Sequence, residues 1–458
     1  MGIFRDFFVK EKPVFTGITR GIGGFGFGAG AGASSGGSNE DYWFARLFDS
    51  NGNNLEGHGI GVDDSGNVYT GMSAVNIGQG SYEIALAKYD SSGSLQWQRS
   101  LGGTDSEALR HLHVDGDGNA YICGYTFSAG QGSIDIYIAK YNSSGSLQWD
   151  RVIGGSTGDN GNGITTDSSG NVYVTGYYRP PGTSYDQLFL AKFNSAGTVQ
   201  WQRLLPGNSE DTVGKSVATD SSGNVYVAGG IGNFGYYICK WDSSGALQWQ
   251  TRQGTTSYST TALTIAVDSS SNLYVSGRSY NGSTAFEAVT LKISSAGSVV
   301  WQRTLSGNNS VTGNGIAVDS AGDVYLCCDT NPGGSLQGQY GIVKYNSSGT
   351  VQWQRMFGRD SQTDTPFQIV AKNDSVYVNG RITPSAYQTL VLKVPDDGSL
   401  TGTYGDYTYS SLSLTATSTG PLTGSTPSNT NTSSSVTIGT ASLTSAVSSL
   451  SSSTTVIE

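Results

Sequence analysis

Charge is scarce in this sequence. Of 458 residues only 13 % are Asp, Glu, Lys or Arg, and 35 acidic against 25 basic side chains leave a net charge of −10. There is no stripe of Lys and Arg able to neutralise phosphates, so a nucleic-acid partner is not expected. No stretch reaches the roughly 18 uninterrupted apolar residues of a membrane span. Cysteine is scarce too. Cys123, Cys239, Cys327 and Cys328 show neither the paired spacing of a metal site nor the density of a disulfide framework. Cys123 and Cys327 occupy a repeat slot that elsewhere holds Thr175, Ala228 or Ser276, so they read as small packing side chains. The first residues do not read as a cleavable secretion signal, because Asp6, Glu11, Pro13 and Arg20 break up any apolar middle. Helical periodicity is missing between the termini.

What the chain has in abundance is repetition. "AKYDSSGSLQWQR" (Ala87 to Arg99) returns as "AKYNSSGSLQWDR", "AKFNSAGTVQWQR" and "VKYNSSGTVQWQR". Its tryptophans Trp97, Trp149, Trp201, Trp249, Trp301 and Trp353 are spaced by 52, 52, 48, 52 and 52 residues. Between them runs a second phrase of the type "TDSSGNVYVTG". It begins at Val62, Val114, Thr166, Thr219, Val267, Val318 and Ala371, which makes seven copies.

Each unit reads as four short strands of alternating β-branched and aromatic residues. They are joined by "DSSGN" and "DSSGS" turns, in which Asp caps the turn and Gly takes the positive-φ position. Four strands repeating every 45–50 residues or so predict an all-β, seven-bladed β-propeller of four-stranded blades. It would span residues 41–400, after an arm at 1–40 and before a Ser/Thr-rich extended segment at 401–458. The six recurrent tryptophans are the expected blade-packing wedges, with Leu95 and Arg99 on the Trp97 side of the strand. "YWFARLFDSNGNNL" (Tyr42 to Leu55) reads as a degraded third-strand phrase and "LVLKVPDDGSL" (Leu390 to Leu400) as an eighth. The surplus early copy is expected to pair with the last blade and close the ring; an incomplete eighth blade is the alternative.

In an up-and-down blade the near-invariant first–second and third–fourth turns share one face. The second–third loops and the blade-to-blade connections, which differ in every copy, share the other. These variable segments are rich in Tyr, Ser, Gly and Asn, a mixture suited to recognition. Their aromatic members Tyr82, Phe127, Tyr178, Tyr185, Phe234, Tyr280, Tyr340 and Tyr387 are the candidate binding face. The plainer alternative is that turns tolerate variation.

Catalytic chemistry finds little support. His111 and His113 share one strand face, but zinc needs three or four ligands and the only other histidine is His58. "DGDGN" (Asp115 to Asn119) opens like a calcium loop and then passes straight into a strand. The repeated lysines Lys88, Lys140, Lys192, Lys240, Lys292 and Lys344 cannot mark a single site; they are expected to pair with repeated Asp residues or to reach solvent. No enzyme, metal or cofactor is expected.

The blades, from Tyr42 to about Leu400, resemble the bacterial β-propeller repeat family. The phrase "A-x-x-D-x-x-G-x-x-x-W" also resembles the tryptophan-docking motif of quinoprotein dehydrogenases, and the adjacent Cys327-Cys328 pair keeps a quinone-dependent oxidoreductase as a remote alternative. The start "MGIFRDFFVKEKPVFTGITRGIGGFGFG" resembles the leader of virion structural proteins of marine tailed phages, cyanophages among them. That resemblance implies a non-enzymatic particle protein, assembled in the host cytoplasm. Phe4, Phe7, Phe8, Phe15, Phe25 and Phe27 would anchor it to capsid or tail, and residues 1–40 and 401–458 would be held by neighbouring virion subunits in an oligomeric assembly. The propeller would serve assembly contacts or adhesion to a host-surface glycan. A secreted bacterial surface protein binding glycans or protein partners is the second reading.

Overall fold

The computed structural model describes residues 43–47, 55–417 and the pairs or triplets 424–425, 432–433 and 437–439. Within 55–417 it leaves out 76–80, 207–208, 233–234, 255–258, 281, 283–284, 308, 331–337, 359–363, 383–387 and 405–406. A short strand β1 (Trp43–Leu47) comes first. Blade one follows as β2 (Leu55–Val62), β3 (Val68–Val75), β4 (Tyr82–Tyr89) and β5 (Leu95–Leu101), and blade two as β6 (Glu107–Val114), β7 (Ala120–Thr126), β8 (Asp135–Tyr141) and β9 (Leu147–Gly154). Blade three is β10 (Asn160–Thr166), β11 (Val172–Tyr178), β12 (Gln187–Phe193) and β13 (Val199–Leu205), and blade four β14 (Thr212–Thr219), β15 (Val225–Ile231), β16 (Tyr236–Trp241) and β17 (Leu247–Gln253). Blade five is β18 (Thr260–Val267), β19 (Leu273–Tyr280), β20 (Phe286–Ile293) and β21 (Val299–Ser306), and blade six β22 (Val311–Val318), β23 (Val324–Thr330), β24 (Gln339–Tyr345) and β25 (Val351–Gly358). Blade seven has β26 (Thr365–Lys372), β27 (Ser375–Ile382) and β28 (Gln388–Pro395).

β1 completes that last blade, pairing antiparallel with β28, while the innermost strands contact one another around the axis from β2 to β26 and back to β2. The fold is therefore a closed seven-bladed propeller. Closure does correct one detail. β1 serves as an outermost, fourth strand and not as a third: Trp43 stands opposite Lys393 as Trp97 stands opposite Lys88. Apolar side chains fill the seams between adjacent sheets, as in the cluster of Ile138, Ile153, Val174 and Phe189 between blades two and three.

The outer strand of each blade docks on the next. Trp97 Nε1 donates to Ser143 O at 3.0 Å and Arg99 Nε to Gly145 O at 2.7 Å. Trp149, Trp201, Trp249, Trp301 and Trp353 donate in the same way to Ser195, Ser243, Ser295, Ser347 and Asp396. The indoles are half-buried and lie flat over the turn glycine of the following blade, Gly145 for Trp97. The repeated lysines belong to the same joint: Lys88 lies 4.9 Å above the Tyr69 ring, 3.8 Å from Asp63 Oδ2 and 3.2 Å from Ser143 O. Asp63 meanwhile accepts from the Ser65 and Asn67 backbone N–H groups, from Asn67 Nδ2 and from the Tyr69 hydroxyl. "DGDGN" is such a turn, with Asp115 bound to Asn119 and Tyr121.

The C-terminal segment travels backward around the rim. β29 (Gly402–Tyr404) and β30 (Tyr407–Ser411) form a hairpin whose second strand pairs with β25 of blade six. β31 (Thr415–Thr417), β32 (Gly424–Ser425), β33 (Thr432–Ser433) and β34 (Thr437–Gly439) then add a fifth strand to blades five, four, three and two in turn. The described part of this segment is thus paired with the chain's own blades. Residues 1–40, with the six anchor phenylalanines, lie outside the described residues.

Candidate functional site

Every innermost strand carries a β-bulge at the same height. The register slips between Gly57 and Gly59, Leu109 and His111, Gly161 and Gly163, Gly214 and Ser216, Ala262 and Thr264, Gly313 and Gly315, and Pro366 and Gln368. A bulge leaves one residue out of the ladder and re-aims it. The seven residues so displaced are His58, Arg110, Asn162, Lys215, Leu263, Asn314 and Phe367, and they ring the axis near the loop-bearing face. Just above them the second strands contribute Tyr125, Tyr177, Arg278, Asp329 and Arg381 at equivalent register positions. Together the two tiers form an axial mouth.

The mouth is electrostatically lopsided. On the arc of blades seven and one, charges are answered: Arg381 Nη1 lies 3.1 Å from Glu56 Oε1 and His58 Nε2 lies 3.6 Å from Glu56 Oε2. The His58 contact and then Arg381 hold the Glu56 carboxyl down at about 2 against the cost of burial. Burial, aided by Arg110, keeps the imidazole of His58 below its ordinary value despite Glu56. Burial lifts Asp329 to about 6, with Arg381 pulling the other way.

On the arc of blades two to five, Arg110 lies 5.2 Å from the Tyr125 ring centroid and Arg278 lies 4.7 Å from that of Phe286. Lys215 stands between them, its pKa lowered by burial first and then by the fields of Arg110 and Arg278, with Asp186 opposing. None of these three cations forms an ion pair among the described residues.

Gln368 reaches past blade one, donating to Leu112 O at 3.2 Å and accepting from Ile60 N at 2.9 Å. Gly59 makes room, since a Cβ there would lie 2.3 Å from that of Leu112. His111 stands 3.3 Å from Gln368 and His113 2.9 Å from Thr166 Oγ1; burial pushes both imidazoles down to about 4.

The predicted aromatics have divided fates. Tyr82, Phe127 and Tyr185 are 39, 42 and 45 % exposed on the loop face. Tyr178 is half-buried, and Tyr280 is half-buried against Phe286. Tyr340 is fully buried between blades six and seven against Phe357 and is no surface contact. Phe234 and Tyr387 lie outside the described residues. Cys327 and Cys328 are free thiols in two different interblade clusters, their pKa values raised by burial.

Three stretches, residues 148–177, 200–232 and 248–283, match the beta-propeller repeat family. Regulatory protein FlaEY of Caulobacter vibrioides is 31 % identical over 111 residues, which is 21 % of this chain and 12 % of that protein. An uncharacterized WD repeat-containing protein of Acanthamoeba polyphaga mimivirus is 24 % identical over 199 residues, 32 % of this chain and 14 % of the other. The chain thus spans less than a sixth of either relative. Among solved structures, the beta-propeller domain of the Trilobed protease from Pyrococcus furiosus is 10 % identical with a TM-score of 0.44, covering 75 % of this chain and 97 % of that one. A gluconolactonase from Xanthomonas campestris is 10 % identical with a TM-score of 0.35, covering 77 % and 90 %.

Proposed function

We propose that this chain is a non-enzymatic recognition module whose axial mouth and surrounding loops engage a partner. The observation that carries this reading is the contrast between the two faces. One is a monotonous set of tight turns capped by Asp, Asn or Ser. The other gathers the displaced bulge residues, the irregular loops and the exposed Tyr82, Phe127 and Tyr185. Carboxylates on that face have structural work: Glu107 accepts from Gly103 N and the Thr126 hydroxyl, and Asp159 from Gly155 N and Arg179 N.

Glycan arrays and purified surface proteins, probed with the full chain, test the reading. Tyr82→Ala, Phe127→Ala and Tyr185→Ala together should abolish binding, while Ser92→Ala and Ser144→Ala in the opposite turns should not. The reverse pattern overturns the proposal, and no binding on any array favours a purely structural role.

The finer reading sets this module on a tailed-phage particle, with residues 1–40 as its anchor; support for it is the leader sequence alone. Deleting residues 2–40 should leave particles without the protein while the disc keeps its melting temperature, and normal incorporation overturns it. A bacterial surface location is the alternative, decided by fractionating the source cells.

A further inference from the structure

We infer that the arc of the mouth spanned by blades two to five is an oxyanion site, in which Arg110, Lys215 and Arg278 receive a carboxylate, sulfate or phosphate group of the bound partner. The inference rests on the recognition reading above and adds the chemistry of the ligand. The geometry comes from the shared bulge. Arg110 and Lys215 occupy equivalent places on β6 and β14, two blades apart, and Arg278 stands one tier higher on β19. Lys215 lies within the fields of both Arg110 and Arg278.

Among the described residues none of the three has a counter-charge, and none is satisfied by carbonyls as the rim arginines Arg99, Arg151, Arg203 and Arg303 are. Several cations elsewhere are answered by acids: Lys344 by Asp323 and Asp396, Lys292 by Asp268, Arg179 by Asp186, Arg252 by Glu210. An anion from outside would offset this repulsion, and Arg supplies a planar fork matched to an oxyanion. Asn162 sits between Arg110 and Lys215 in the ring, but its Nδ2 is already given to Gly214 O. The acids of the mouth, Glu56 and Asp329, lie near Arg381 on the other side. Asp186 is the one carboxylate that acts on Lys215, and its Oδ1 is taken by Arg179 at 2.7 Å.

The test is titration calorimetry of the full chain at low ionic strength with sodium sulfate, phosphate and glucuronate, and with glucose as the uncharged counterpart. The anions should bind and glucose should not. Glucuronate tighter than sulfate would identify an acidic sugar as the source, and the reverse order a free inorganic anion. Arg110→Gln, Lys215→Met and Arg278→Gln should each weaken binding about tenfold. Lys372→Gln, which removes a cation paired with Asp64 at the opposite end of an inner strand, should change nothing.

A second readout separates a ligand site from a structural role. In anion-free buffer Lys215→Met should raise the melting temperature, because it removes repulsion, and it should lose most of the stabilisation that sulfate gives the parent; comparison with the parent cancels the general salting effect of sulfate. A lowered melting temperature with the sulfate response intact overturns the inference. So does failure of all three anions to bind. If Tyr82, Phe127 and Tyr185 still govern partner binding in that case, the recognition reading survives and only the oxyanion chemistry falls.

Discussion

A glycine at position 197 shows what the blade joint demands of single residues. Its φ is +75° and a Cβ there would lie 2.7 Å from the Trp149 indole. Gly170 has the same φ of +75°, yet its nearest obstacle is Ser195 Cβ at 3.6 Å. Gly170→Ala should therefore cost only left-handed strain, about 1 kcal/mol. Gly197→Ala should cost about 1–3 kcal/mol more by lifting the indole, a difference read directly from paired urea melts. Asp159 offers a pH test. Burial lifts its carboxyl to about 7, with the Gly155 and Arg179 N–H groups pulling it back and Asp135 and Asp186 pushing it up. The folded state thus holds a proton that the unfolded state releases near 4. That contribution is complete below about pH 4 and is lost as pH rises to about 7. Asp159→Asn should fall behind the parent at pH 5 and gain on it by pH 8 in denaturant melts; a constant gap counts against the shift. At this scale the sequence was legible by column. Tyr340 looked like a loop aromatic, yet it stands in the strand column of Ile84, Ile136, Leu188 and Tyr236, all buried. The bulge residues of blades one to six are equally open to view, each lying five positions before the turn Asp, as His58 before Asp63 and Lys215 before Asp220. They lie inside strands, where period-two alternation alone does not mark a residue displaced by a bulge.

Among the elements, strand order followed from the two phrases, because Asp-capped turns fix where each hairpin reverses. β1 was harder. Trp43 lies 97 − 43 = 54 residues before Trp97, close to the repeat length, and that spacing marks it as a fourth-strand tryptophan. The rim strands β31 to β34 were beyond reach. Runs of Ser and Thr carry no periodicity of their own, and their conformation comes from open edges already built. Their grip is uneven. Tyr409, Leu412 and Leu414 are buried, and Gln354 clamps Leu414 from both sides, accepting from its N–H at 3.0 Å and donating to its carbonyl at 3.1 Å. Thr415–Thr417 is exposed throughout. Truncation after Leu400 should lower the melting temperature markedly, while truncation after Thr417 should move it little. Leu412→Ala alone should cost about 2 kcal/mol. Equal losses from both truncations, seen by calorimetry, would mean that the distal pairings hold as firmly as the first.

For the molecule as a whole, seven copies of one phrase were enough to count seven blades, since a four-stranded sheet must cover both faces and a ring of sheets does so. Closure cannot form locally, because β1 and β28 come from opposite ends of the propeller. Removing residues 2–40 should leave thermal stability unchanged. Removing residues 2–47 should lower it by several degrees and bring concentration-dependent association, seen by light scattering, as the bare β28 edge seeks another chain. Its loss should also blunt the cooperativity of unfolding. The backward route of the C-terminal ribbon has a consequence for biosynthesis. Blades two to six leave the ribosome in order, but the ribbon reaches them in the opposite order and only after the final blade exists. A nascent chain cut short before the ribbon therefore leaves the outer strands of five blades without their added strand at once, a mark that a finished copy does not carry.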